Sequence, residues 1–158
     1  MKKEKKLKIF IDGGSRGDPG NGACAAVFFG ADGVVLREEV KYLGRCSSDF
    51  AECNGLRLAL AAAVRMGAEE LELFSPSEPL VRQFAGGCVI KDAALTALMA
   101  EVLKAAAGFR KISVSHLPRE KNKGADRLVN RVLDDAVRVA PALGKSLAKE
   151  NGARRKPL

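Results

Sequence analysis

Residues 7–30 read LKIFIDGGSRGDPGNGACAAVFFG, and this stretch settles how the chain begins to fold. Leu7–Ile11 alternate and are rich in β-formers, so 7–12 is expected to be a strand that ends on an acid, Asp12. Gly13–Gly22 is dense in Gly, Pro and Asp and reads as a turn. Ala23–Gly30 is a second strand. Ala31-Asp32-Gly33 then gives a hairpin signal into a third, GVVLREEVKYL, closing a three-stranded meander. Beyond it the period changes. Residues 51–66 place Leu, Ala and Val at three- and four-residue spacing, the mark of a helix that Gly67 stops. A fourth strand follows at 71–74, then a short helix over 78–85, an amphipathic helix over 92–109, a fifth strand over 111–117 and a last helix over 126–140, stopped by Pro141. The order β-β-β-α-β-α-α-β-α implies an α/β fold: one five-stranded mixed sheet, antiparallel meander plus parallel strands, with helices on both faces.

Composition limits what this domain does. At 158 residues and 47% hydrophobic, the chain is long enough for one domain with a core. No run of 18 apolar residues is present, so no membrane span is expected. The start, MKKEKKLKIF, lacks the longer apolar region and cleavage site of a signal peptide. Cys24, Cys46, Cys53 and Cys88 show no CxxC spacing, which argues against zinc and for reduced thiols in a cytoplasmic protein. No heptad or unused apolar stripe argues for assembly, so a monomer is expected.

The net charge of +8 is unevenly spread. Residues 1–8 and 141–158 each carry five basic groups and one Glu, leaving 9–140 with 17 basic and 17 acidic groups. We therefore divide the chain into a basic tail at 1–6, a near-neutral domain at 7–140 and a basic, flexible tail at 141–158. Such tails suit a phosphate backbone without sequence preference, and equally suit mere solubility.

Acids at element boundaries carry the chemistry. Asp12 at the end of an apolar strand costs desolvation unless something cationic meets it. Glu52 and Asp126 each open a helix, where each could simply cap the dipole. Strand ends and helix starts of an open sheet converge on one edge. Three carboxylates gathered there repel one another unless a divalent ion holds them, and oxygen-only ligands suit Mg²⁺ or Mn²⁺ and phosphoryl transfer.

In order, IDGGSRGDPGNG, AECNGLRLAL, SEPLVRQF, KDAALTALMAEV and SHLPREKNKGADRLVN follow the pattern of ribonuclease H, type 1, over about residues 8 to 135. The chain resembles the short bacterial and archaeal kind that lacks the basic protrusion. That resemblance implies metal-dependent cleavage of the RNA strand of RNA/DNA hybrids. It implies Asp12 as a bridging ligand of two metal ions, Glu52 and Asp126 as ligands of one each, and His116 as an aid to product release. Gly13, Gly14, Ser15, Arg16 and Gly17 would then approach the RNA strand. Ser48 would bond a sugar across the minor groove, and Asn122 matches a polar loop residue of the family.

The resemblance also exposes departures. The family's fourth carboxylate lies in an SDSE motif after the fourth strand, where this chain has Ser75-Pro76-Ser77-Glu78. Glu78 has capping-box spacing from Ser75, although Ser77 could cap instead. Asp49 replaces a groove-reading asparagine, and Asp18 stands where asparagine is usual. Asp49 and Glu78 are the two acids that could substitute as ligands. The expectation is a hybrid-acting protein whose nuclease activity is weak or lost. The alternative is a catalytically inactive nucleic-acid-binding or scaffold domain of the same fold.

Overall fold

The computed structural model describes the backbone of residues 5–151 and the side chains of residues 5–137. Five strands, β1 (Lys6–Gly17), β2 (Gly20–Phe29), β3 (Val35–Cys46), β4 (Glu70–Ser75) and β5 (Lys111–His116), form one sheet in the order β3-β2-β1-β4-β5. β1 pairs antiparallel with β2 and parallel with β4, and β4 pairs parallel with β5. The sheet is therefore mixed, as the element order implies.

Helices α1 (Ser48–Arg65), α2 (Glu78–Phe84) and α3 (Ala93–Ala106) close over one face. There Leu7, Ile9, Ile11, Ala26 and Phe28 of the sheet are buried with Leu56, Leu60, Leu80, Leu98 and Val102. Helix α4 (Lys123–Asn151) covers the other face, packing Ala125, Leu128, Val129 and Leu133 on Ala23, Ala25 and Val27. Because both faces are covered, β2 is buried along nearly its whole length and reads as a continuous apolar run.

Two expectations are corrected. The expected turn over 13–22 is mostly strand: β1 runs to Gly17 and β2 starts at Gly20, leaving only Asp18-Pro19, joined by a cis bond, between them. Gly13, Gly20 and Gly22 permit close approach. A Cβ on Gly13 would lie 2.3 Å from the Ala51 carbonyl oxygen, and one on Gly22 would lie 2.3 Å from Cys46 Sγ. The last helix is also longer than expected at both ends. It starts at Lys123 and passes Pro141 to reach Asn151. Proline removes one donor but its fixed φ is already helical, and Ala140, Ala142 and Leu143 around it favour the helix. The expected flexible tails fall in part on 1–4 and 152–158, outside the described residues.

Candidate active site

Two close backbone approaches bring β1 and α1 together. Gly13 lies against Ala51, and a Cβ on Gly55 would sit 2.9 Å from the Asp12 carbonyl oxygen. These contacts set Asp12, in mid-β1, beside Glu52 in the first turns of α1. The start of α1 is fixed twice: Ser47 Oγ accepts from Phe50 N, and Asp18 Oδ1 accepts from Ser48 N at 3.1 Å. Asp126 comes from the other face of the sheet, in the first turn of α4.

Asp12, Glu52 and Asp126 line one cleft of about 260 Å³, together with Gly13, Gly14, Ser15, Arg16, Ser48, Arg119 and Asn130. Most of the residues expected at the site thus meet there. Ser15 and Ser48 are joined at 3.0 Å between hydroxyls. Arg16 turns to α4, where it pairs with Asp134 at 2.7 Å and donates to Asn130 Oδ1 at 3.3 Å. Gly17, His116, Asn122, Asp49 and Glu78 do not line the cleft. His116 is exposed at the end of β5, opposite Ser75. Asn122 is buried and donates to the Ile11 carbonyl at 2.8 Å, which pins the loop before α4 to the residue preceding Asp12. Glu78 is exposed and pairs with Arg82 one helical turn on.

The electrostatics turn on Arg119, a residue that spacing alone does not single out. Its Nη1 lies 3.1 and 3.2 Å from the two Asp12 carboxylate oxygens and 3.4 Å from Asp126 Oδ1. The cation required by a buried Asp12 is thus a side chain of the same protein. The only hint was that requirement; the loop offers Arg119, Lys121 and Lys123, and nothing in their spacing chooses among them. Burial pushes the Asp12 carboxyl up to about 6, against the lowering pull of Arg119 and the Gly13 amide and with Asp126 adding to the rise. Glu52 is also raised, first by burial, while the Ser77 hydroxyl opposes the shift and Asp49 and Asp12 reinforce it.

Ser77 is the second residue the spacing left ambiguous. Its hydroxyl accepts from Leu80 N and donates to Glu52 Oε1 at 2.8 Å, so the cap of α2 is Ser77 and it also holds Glu52. Ser75 is buried, and its Oγ accepts from Ser77 N. Pro76 lies between these two serines, in the bend that ends β4.

The sequence pattern of the reverse-transcriptase-like family matches residues 10–132. In solved structures the chain is similar to ribonuclease H1 from the halophilic archaeon Halobacterium salinarum, at 33% identity and a TM-score of 0.80, covering 82% of this chain and 98% of that one. The chain belongs to the ribonuclease H family. A second similar ribonuclease H1, LC11, was solved in complex with an RNA/DNA hybrid; it is 32% identical, with a TM-score of 0.77 over 83% of this chain and 99% of that one. Among curated proteins, the bifunctional protein Rv2228c of Mycobacterium tuberculosis is 38% identical over 138 residues, 87% of this chain. The chain spans only 38% of that relative's length.

The donor chemistry of the three acids in this cleft, carboxylate oxygen throughout, suits a hard divalent ion. Asp12, Glu52 and Asp126 are the residues that would hold it, once Arg119 is turned away from Asp12 and Asp126. Among the described residues, no three acids, histidines or cysteines gather closely enough to hold a metal. A guanidinium nitrogen stands between two of the three carboxylates instead.

Proposed function

We propose that this ribonuclease H-family protein binds RNA/DNA hybrids and cuts their RNA strand weakly or not at all. One observation carries the reading. The bend after β4, where the family resemblance calls for a fourth carboxylate, presents Pro76 flanked by two serines, and Glu52 is met there by the Ser77 hydroxyl. An ion of the Mg²⁺ or Mn²⁺ type would have Asp12, Glu52 and Asp126 as its protein ligands, and would supply an activated water and stabilise a leaving oxygen. Without a fourth carboxylate, a loss of roughly 3–4 kcal/mol in transition-state stabilisation slows the reaction by about two to three orders of magnitude.

The rest of the cleft supports hybrid binding. Gly14, where a Cβ would meet nothing within 4 Å, keeps β1 free of a side chain at the cleft, so that a nucleic-acid strand can come close to the backbone. Ser15 and Ser48 present hydroxyls suited to the 2′-OH groups of one strand. Asp49 at the start of α1 works against phosphate, and Glu78, turned to Arg82, leaves no obvious replacement ligand.

The test is cleavage of a labelled RNA/DNA hybrid in Mg²⁺ and in Mn²⁺, beside binding of the same hybrid in EDTA. Binding with little or no cleavage is expected. Efficient cleavage that Asp12→Asn abolishes would contradict the reading, and so would a failure to bind the hybrid.

A further inference from the structure

We propose that Arg119 is a tethered counter-ion that stands in the place of a divalent cation, so that any ion binding Asp12 and Asp126 must first displace it. The inference rests on the reading of Asp12, Glu52 and Asp126 as the acidic centre of the cleft. One nitrogen, Arg119 Nη1, lies within 3.4 Å of three oxygens from two carboxylates. An Mg²⁺ ion ligated by both groups would need them at about 2.1 Å, inside the space this nitrogen now fills. Two cations cannot share that space at those distances without strong repulsion.

The side chains on either side differ in freedom. The Asp12 side chain is 1% exposed and held on a central strand, whereas the Arg119 side chain is 53% exposed. The loop that carries Arg119 is a single turn of 3₁₀ helix, Arg119–Lys121, with no side-chain cap. Arg119 can therefore swing into solvent while Asp12 cannot follow. The other guanidinium at the cleft, Arg16, is already engaged by Asp134 and Asn130, so it is not placed to take over. In the metal-free protein the pair keeps Asp12 from being a buried, unpaired charge. Loss of Arg119 strands a buried charge, whereas loss of Asp12 leaves only a half-exposed guanidinium.

A metal titration reads this directly. Wild type, Arg119→Gln, Arg119→Lys and Asp12→Asn are stripped with EDTA, dialysed, checked for folding by circular dichroism, and titrated with Mn²⁺ by electron paramagnetic resonance. Removing a unit positive charge beside the ion should tighten Mn²⁺ binding by about tenfold or more in Arg119→Gln. Arg119→Lys, which keeps the charge, should stay within a few-fold of wild type, and Asp12→Asn should lose the site. In melting curves Arg119→Gln should start lower than wild type and gain more from Mn²⁺. Mn²⁺ binding in Arg119→Gln that equals or falls below wild type would overturn the proposal, as would no binding by either protein. Hybrid binding in EDTA separates the two readings: a wild type that fails to bind hybrid overturns the proposed function and leaves the Mn²⁺ comparison standing.

Discussion

Asp12 carries a charge on a buried strand position, and its chemistry has a measurable stability cost. With the carboxyl raised from 3.8 to about 6, the folded protein holds a proton that the unfolded chain has already released. Its contribution is fully present below pH 3.8, fades as pH rises, and is gone above about 6. In metal-free buffer, Asp12→Asn should therefore gain stability over wild type between pH 4 and 6 and hold a plateau above. The gain should be on the order of 3 kcal/mol, since each pKa unit is about 1.4 kcal/mol. Urea denaturation of both proteins at pH 4 and 7 checks this; a constant difference would contradict it. Ser77→Ala should cost about 1–2 kcal/mol, because it removes the cap of α2 and a bond to Glu52 together. Asp12 was legible because an apolar strand gives an acid little local reason to be there, and Glu52 and Asp126, each explicable alone as a helix-start acid, were legible through the motifs that carry them. Arg119 was not, because a loop cation reveals its partner only when the fold closes.

At the level of elements, strand and helix periods were enough to place all five strands and four helices in order. What composition misjudged was glycine. Ten residues rich in Gly look like a loop, yet most of them extend the β1–β2 hairpin, where Gly13, Gly20 and Gly22 lie too close to their neighbours to carry a Cβ. Gly13→Ala should therefore destabilise the protein by about 1–3 kcal/mol and loosen α1 from β1, since the Ala51 carbonyl cannot retreat without moving its helix. Thermal denaturation tests the size, and amide exchange at Ala51 and Glu52 tests the place. A neutral Gly13→Ala would mean that the approach relaxes freely. The thiols follow burial in the same way. Cys24 and Cys53, pushed up to about 12 in the core, should resist a thiol reagent until unfolding, while the exposed Cys88 should react at once. Equal labelling of all four in the native protein would contradict this.

Across the whole molecule, the basic excess of +8 lies toward the two ends of the chain, and the domain between them is near-neutral. Hybrid affinity should fall with salt. Removal of residues 152–158, which include Arg154, Arg155 and Lys156, should flatten the log–log salt slope by up to about 3. An unchanged slope would mean that these groups do not meet the nucleic acid. No helix among the described residues is long and apolar enough to cross a membrane, as the hydropathy implied. The fold and its family were legible because five motifs in register tie strands, glycines and acids to one arrangement. Occupancy was not, because metal binding depends on sub-ångström spacing between groups far apart in sequence.

The account turns on Pro76, and the most direct measurement compares single-turnover cleavage of an RNA/DNA hybrid by wild type and Pro76→Asp in Mg²⁺, with Asp12→Asn in each background. It predicts that Pro76→Asp cuts the RNA strand at least about a hundredfold faster than wild type, and that Asp12→Asn abolishes the gain. A wild type that already cuts as fast as Pro76→Asp, or a Pro76→Asp that folds, binds hybrid and still does not cut, would contradict it.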